Sequence, residues 1–215
     1  MLKISAQAPT RIDLAGGTLD LWPIHHLLDH KATVNVAVTL EAKVDLMTRE
    51  EGEGFQIRSQ DLDRSVNGSF SEVCQSEELP LIGLLLQALW ARNLPPLQIV
   101  TSAKSPAGAG LGGSSCLAVT LAKALWTARS KMTGEPALEE HQLVATAQNV
   151  EARLISAPTG CQDYWGAVRG GVNIIQFPYT GEEVQTLSPD HVDGLQERLI
   201  CVFSGKSRAS AINNW

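Results

Sequence analysis

The sequence predicts an α+β domain. Three features carry this. Strand-like segments crowd the first third of the chain, apolar helical stretches follow, and a glycine-rich loop joins a strand to a helix.

Leu2 to Ala6 and Arg11 to Ala15 read as short strands on either side of Pro9, and Gly16-Gly17 breaks the second. Ala32 to Leu40 alternates, with Val34, Val36 and Val38 on one face, a strand signature. Val44 to Arg49 and Phe55 to Ser59 are further strands, joined by the turn-rich Glu51-Gly52-Glu53-Gly54. Pro80 to Arg92 is then an apolar helix, stopped by Asn93 and Pro95. Leu97 to Thr101 is a strand, and the loop Pro106 to Gly113 follows it. Ser114-Ser115 can cap a helix running to about Lys131, which Gly134 and Pro136 end. Another helix spans about Glu139 to Leu154, and Gly171 to Phe177 and Leu199 to Phe203 read as strands.

The 215 residues suffice for one domain with a true core, or one domain and part of another. Hydrophobic residues at 44% and charged residues at 19% suit a globular protein. The net charge of -6 argues against sequence-independent nucleic-acid binding, which needs a broad basic surface. It leaves phosphate binding open, because a few donors and one metal ion hold a phosphate locally. Cys74, Cys116, Cys161 and Cys201 form no C-x-x-C pair, so a reduced, cytoplasmic protein is the simplest expectation. The N-terminus lacks the apolar stretch of a signal peptide, and no apolar run is long enough to span a bilayer.

The loop reads Ser105-Pro106-Ala107-Gly108-Ala109-Gly110-Leu111-Gly112-Gly113-Ser114-Ser115. Glycines let its backbone turn inward. The N–H groups of loop and first helical turn then converge where the helix dipole is positive, an arrangement suited to a polyphosphate. A Walker A loop would need a Lys before its Ser/Thr, and this loop has none. Gly108, Gly110 and Gly113 spell G-x-G-x-x-G, so an NAD-binding oxidoreductase is an alternative. A dinucleotide fold, however, places a second strand after the helix, whereas here helix follows helix. The protein-kinase motifs V-A-I-K, H-R-D and D-F-G are missing.

Three segments in order resemble the GHMP kinase superfamily of galactokinases, homoserine kinases, mevalonate kinases and phosphomevalonate kinases. They are Ala8 to Leu21, the glycine loop, and Glu151 followed by Gly160-Cys161-Gln162-Asp163-Tyr164 and Gly170-Gly171. The A-G-G-T-x-D-L stretch most resembles the heptose 7-phosphate kinase and fucokinase branch. The resemblance implies a two-layer fold like ribosomal protein S5 domain 2, and ATP-dependent phosphorylation of a sugar or sugar-phosphate hydroxyl, with Mg2+. It implies that Asp163 is the base on the acceptor hydroxyl. It places Arg11 beside that base, where a guanidinium favours ionised oxygen and offsets developing charge. Asp20, with Thr18, Gly17 and Gln162, would bind the acceptor. Lys104, Pro106, Gly108, Gly110, Leu111, Gly112, Gly113, Ser114 and Ser115 would hold the nucleotide. Ser114 is preferred over Ser115 as the metal-binding serine, with Glu151 as the second ligand.

Each of these residues also has a plainer reading. Asp163, Ser114 and Ser115 could be helix caps, Arg11 a surface ion pair, Glu151 and Lys104 solvated charges, and Asp20 a turn residue. His25, His26 and His30 invite a metal, but no H-E-x-x-H accompanies the i, i+4 pair. Trp22 and Trp165 could stack on a sugar or pack in the core. Family members run on into a second domain. The expectation is therefore an N-terminal domain over residues 1–198, with 199–215 starting another. Such a portion would expose an apolar face favouring a homodimer. Alternatives are a mevalonate- or galactose-type kinase, or an inactive nucleotide-binding module.

Overall fold

The computed structural model describes residues 1–29, 31–200 and 202. Strand β1 (Lys3–Ala15) leads through two 3-10 turns (Gly17–Asp20, Ile24–Leu27) into β2 (Ala32–Thr48). A hairpin of β3 (Phe55–Ser59) and β4 (Arg64–Gly68) precedes α1 (Phe70–Gln75) and α2 (Pro80–Leu89). Then come β5 (Leu97–Ala103), α3 (Gly113–Thr133), α4 (Glu140–Ile155), α5 (Gln162–Arg169), β6 (Val172–Gln176), β7 (Glu183–Thr186) and α6 (Leu195–Arg198).

The strands form one seven-stranded sheet in the order β4-β3-β5-β2-β6-β7, with β1 on the other edge of β2. The long β2 organises it, pairing β1 along one edge, and β5 and β6 along the other with its two halves. Alternate residues of β3 and β5 are buried, so the sheet buries one face under the helices. Helix α3 lies on β1 and β2, flanked by α2, α4 and α5. Leu85, Leu86, Leu97, Ile99, Leu121 and Leu125 are fully buried between these layers. Each such side chain contributes about 1.5–3 kcal/mol.

The two strands expected around Pro9 are one strand, because a register shift between Pro9 and Thr10 accommodates the residue that lacks an N–H. The Thr10 hydroxyl donates to the Leu40 carbonyl (2.8 Å) opposite this irregularity. Ala32–Leu40 and Val44–Arg49 likewise join into β2. Its valines mark a strand, but the buried residues at that end are Thr33 and Asn35 on the opposite face. Helix α2 ends at Leu89 rather than Arg92, where Trp90 turns extended and its indole N–H donates to the Pro95 carbonyl (3.1 Å). The unpredicted α1 begins with a capping box between Ser69 and Glu72. Strands β4 and β7 are short and largely polar, which hid them. In the expected strand Leu199 to Phe203, residues 201 and 203 lie outside the described residues, as does 203–215 of the expected second domain; Leu199, Ile200 and Val202 are not in a strand.

Candidate active site

The glycine loop runs from β5 to the start of α3 as expected. Gly112 is the cap of α3 and sits in the left-handed region (φ +68°). A Cβ there would also lie 2.8 Å from the Asp163 carboxylate, so glycine is required twice over. Neither serine caps the helix: Ser114 and Ser115 are its second and third residues, and the Gly112 cap offers the first N–H groups no side-chain partner. Nor does Asp163 cap α5. It is the second residue, after a Cys161 cap that makes no side-chain bond.

Arg11 ties this loop to Asp163. Its backbone N–H donates to the Leu111 carbonyl (3.2 Å) and its Nη1 to the Gly110 carbonyl (2.9 Å). Its Nη2 forms an ion pair with Asp163 Oδ1. The arginine side chain is only 11% exposed, so this is not a solvated surface pair. Helix α5 places Asp163 in its first turn, where the dipole favours a carboxylate.

Asp20 is buried next to Asp163. Its Oδ2 accepts the Gln162 N–H (3.0 Å), and the Gln162 amide Nε2 donates to the Gly17 carbonyl (2.8 Å). Burial pushes the Asp20 carboxyl up from 3.8 to about 6, with the Asp163 charge adding to it and the Gln162 N–H opposing it. A chain of buried amides supports this corner. Asn35 Nδ2 donates to the Gln162 carbonyl (2.9 Å), and Asn173 Nδ2 donates to Asn35 Oδ1 (3.1 Å) and to the Gly170 carbonyl (3.0 Å). The cross-strand pair Asn35–Asn173 thus holds carbonyls at both ends of α5. Sequence reading missed both asparagines, whose only signal was an amide inside a strand.

The folded state binds the Asp20 proton more tightly than the unfolded chain. Asp20 therefore costs stability as pH rises from about 4 to about 6. Asp20→Asn, which retains an acceptor for the Gln162 N–H, is expected to gain about 2–3 kcal/mol over the parent at about pH 8, a difference that vanishes at or below about pH 4. Urea denaturation of both proteins at the two pH values checks this. An equal difference at both would refute the pH linkage.

A third cluster joins α3, α4 and α5. Ser115 Oγ and Tyr164 Oη each donate to Glu151 Oε2 at 2.7 Å, and all three residues are buried. Burial, and then the Glu151 charge, raise the Tyr164 pKa, which keeps it a donor. The expected preference for Ser114 does not match this geometry. Ser114 is exposed, whereas Ser115 faces Glu151, because residues one apart on a helix point about 100° apart. The hard oxygen donors of Glu151 and Ser115 fit Mg2+.

Other expected residues lie elsewhere. Lys104 is exposed beside Glu41 (3.6 Å). Trp165 is fully buried and its Nε1 donates to Glu182 (2.9 Å), so it packs in the core, while Trp22 is 61% exposed. His25 stacks on Phe177 and His26 on Tyr179, and both line a hollow of about 400 Å³ with His141. Burial lowers the His25 pKa. His30 lies outside the described residues. The spelled G-x-G-x-x-G precedes two consecutive helices and the sheet is mainly antiparallel, unlike a dinucleotide fold. Among the described residues no helix is long and apolar enough to cross a membrane.

Residues 81–171 match the family described as GHMP kinases N terminal domain. This segment holds the loop, α3, Glu151 and Asp163 in one stretch. The chain is 29% identical over 189 residues to a D-glycero-alpha-D-manno-heptose 7-phosphate kinase of Campylobacter jejuni, covering 82% of this chain and 51% of the relative. It is 27% identical over 225 residues to a bifunctional fucokinase/GDP-fucose pyrophosphorylase of Arabidopsis thaliana, covering 96% of this chain and 20% of that one. The chain therefore spans about half, or less, of the curated relatives it matches. The crystal structure of a D-glycero-D-manno-heptose 1-phosphate kinase from Bacteroides thetaiotaomicron shares the fold (TM-score 0.72, 24% identity, 87% of this chain and 60% of that one). A mevalonate kinase from Methanococcus jannaschii shares it too (TM-score 0.67, 15% identity, 87% of this chain and 56% of that one). The chain thus has the two-layer, ribosomal-protein-S5-like architecture expected from sequence.

Proposed function

We propose that the chain is the phosphate-binding portion of an ATP-dependent kinase that phosphorylates a hydroxyl of a sugar or sugar phosphate, of heptose 7-phosphate or fucose type. The observation that carries this reading is Arg11. One guanidinium touches both a glycine-loop carbonyl and the carboxylate of Asp163, so a phosphate site and a proton acceptor sit within one side chain's reach. The named activities of the two curated relatives support the acceptor class.

Phosphoryl transfer asks chiefly for positioning and charge stabilisation. The loop N–H groups and the start of α3 receive the phosphates of ATP. Asp20, Gln162, Gly17 and Thr18 receive acceptor hydroxyls. Asp163 takes the proton of the attacking hydroxyl while its oxygen bonds to the γ-phosphorus and the bond to ADP breaks, with no covalent enzyme intermediate. Arg11 offsets charge on the transferred group. Glu151 and Ser115 would hold Mg2+, which supplies charge neutralisation at the phosphates. The buried free thiols Cys74, Cys116 and Cys161 suit a cytoplasmic setting, and burial raises the Cys116 pKa to about 11.

The test is ADP release from Mg·ATP by the 215-residue chain against heptose 7-phosphate, fucose, galactose and mevalonate. Turnover with heptose 7-phosphate or fucose is expected. Turnover only with mevalonate or galactose would change the acceptor. No turnover with any acceptor, while Mg·ADP still binds, would reduce the chain to a nucleotide-binding module.

A further inference from the structure

We propose that Tyr164 is a positioning residue for a divalent cation at Glu151, and that α5 thereby links the cation site to Asp163. This rests on the kinase reading above.

Glu151 is a carboxylate with 7% exposure, and among the described residues it has no cationic partner. A buried charge without a counter-ion is costly, and a cation bound there would offset it. The protein contributes two hydroxyls, from Ser115 and Tyr164, both directed at Oε2. The other oxygen, Oε1, takes no side-chain hydrogen bond among the described residues. The carboxylate is thus pinned by one oxygen, with the second available to a metal. Ser115 can donate to Glu151 and still ligate the cation through a lone pair, so Tyr164 is the pin that holds the carboxylate independently of the cation. Tyr164 is itself fixed, being fully buried with its hydroxyl 3.2 Å from Thr159 Oγ1. It directly follows Asp163, and successive helical residues point about 100° apart. One turn of α5 therefore presents Asp163 to Arg11 and Tyr164 to Glu151, so the two sites share a rigid element.

Tyr164→Phe removes only the hydroxyl and keeps the packing. Calorimetric titration of ADP into the full chain at graded Mg2+ reads the metal site without requiring turnover. The half-maximal Mg2+ concentration is expected to rise about tenfold in Tyr164→Phe, as for other partners that orient a metal ligand. ADP affinity without Mg2+ should be unchanged. Thr159→Val, which leaves the bond to Glu151, should retain the parental Mg2+ dependence, and Glu151→Gln should abolish it. A parental Mg2+ dependence in Tyr164→Phe would overturn the inference while leaving the kinase reading intact. The same holds if the shift comes with an equal loss of metal-free ADP affinity. If the unmodified chain shows no Mg2+-dependent ADP binding, both fall.

Discussion

Asp163→Asn is expected to lower turnover by about 10²–10⁴-fold, the usual contribution of a general base, which is the role proposed for Asp163. Mg·ADP affinity should hardly change. The amide cannot take up the hydroxyl proton at neutral pH, so the acceptor oxygen must attack as an alcohol. The phosphate site should survive because Arg11 does not depend on Asp163 for its placement. Its Nη1 stays on the Gly110 carbonyl and its backbone N–H on the Leu111 carbonyl. Initial rates with saturating acceptor, set beside ADP titration of the same samples, separate the two effects. A large loss of ADP affinity would show that Asp163 chiefly shapes the loop through Arg11 rather than serving as base.

Gly160→Ala is expected to destabilise the chain by about 2–5 kcal/mol, combining overpacking with the loss of a buried hydrogen bond. The glycine is needed here for space, since a Cβ would fall on the Asp20 carboxyl group. That carboxyl cannot swing away freely, because the Gln162 N–H holds its Oδ2 and protein surrounds it. Adding Asp20→Ala should recover most of the loss, as the clash and the bond belong to the same pair. Urea denaturation of the two single variants and the double variant measures the coupling. Strict additivity would show that Gly160 acts through some other neighbour.

Much of the fold was legible because period and punctuation survive in the chain. The glycine loop sits between β5 and α3, Gly134 ends α3 in a left-handed cap, and the apolar run from Pro80 forms α2. What was illegible depends on partners far along the chain. Pro9 suggested a break, yet pairing with β2 carries β1 through it. Val34 and Val36 signalled a strand, but which face α5 would cover was settled by Thr33 and Asn35. The loop serines illustrate the same limit at the site. Aligning motifs favours Ser114, whereas helical phase directs Ser115 to Glu151.

The sequence by itself determined that a glycine-rich loop opens a long helix, and that Arg11, Asp20, Glu151 and Asp163 accompany it, because residue type and order need no folding to be read. Only the tertiary structure decided that Arg11 bridges loop and carboxylate, that Tyr164 serves Glu151, and that an asparagine pair clamps α5. Those contacts join residues 13 to 152 positions apart. Hydrogen bonds over such separations follow from how β2 and three helices pack, and nothing in a local pattern records them.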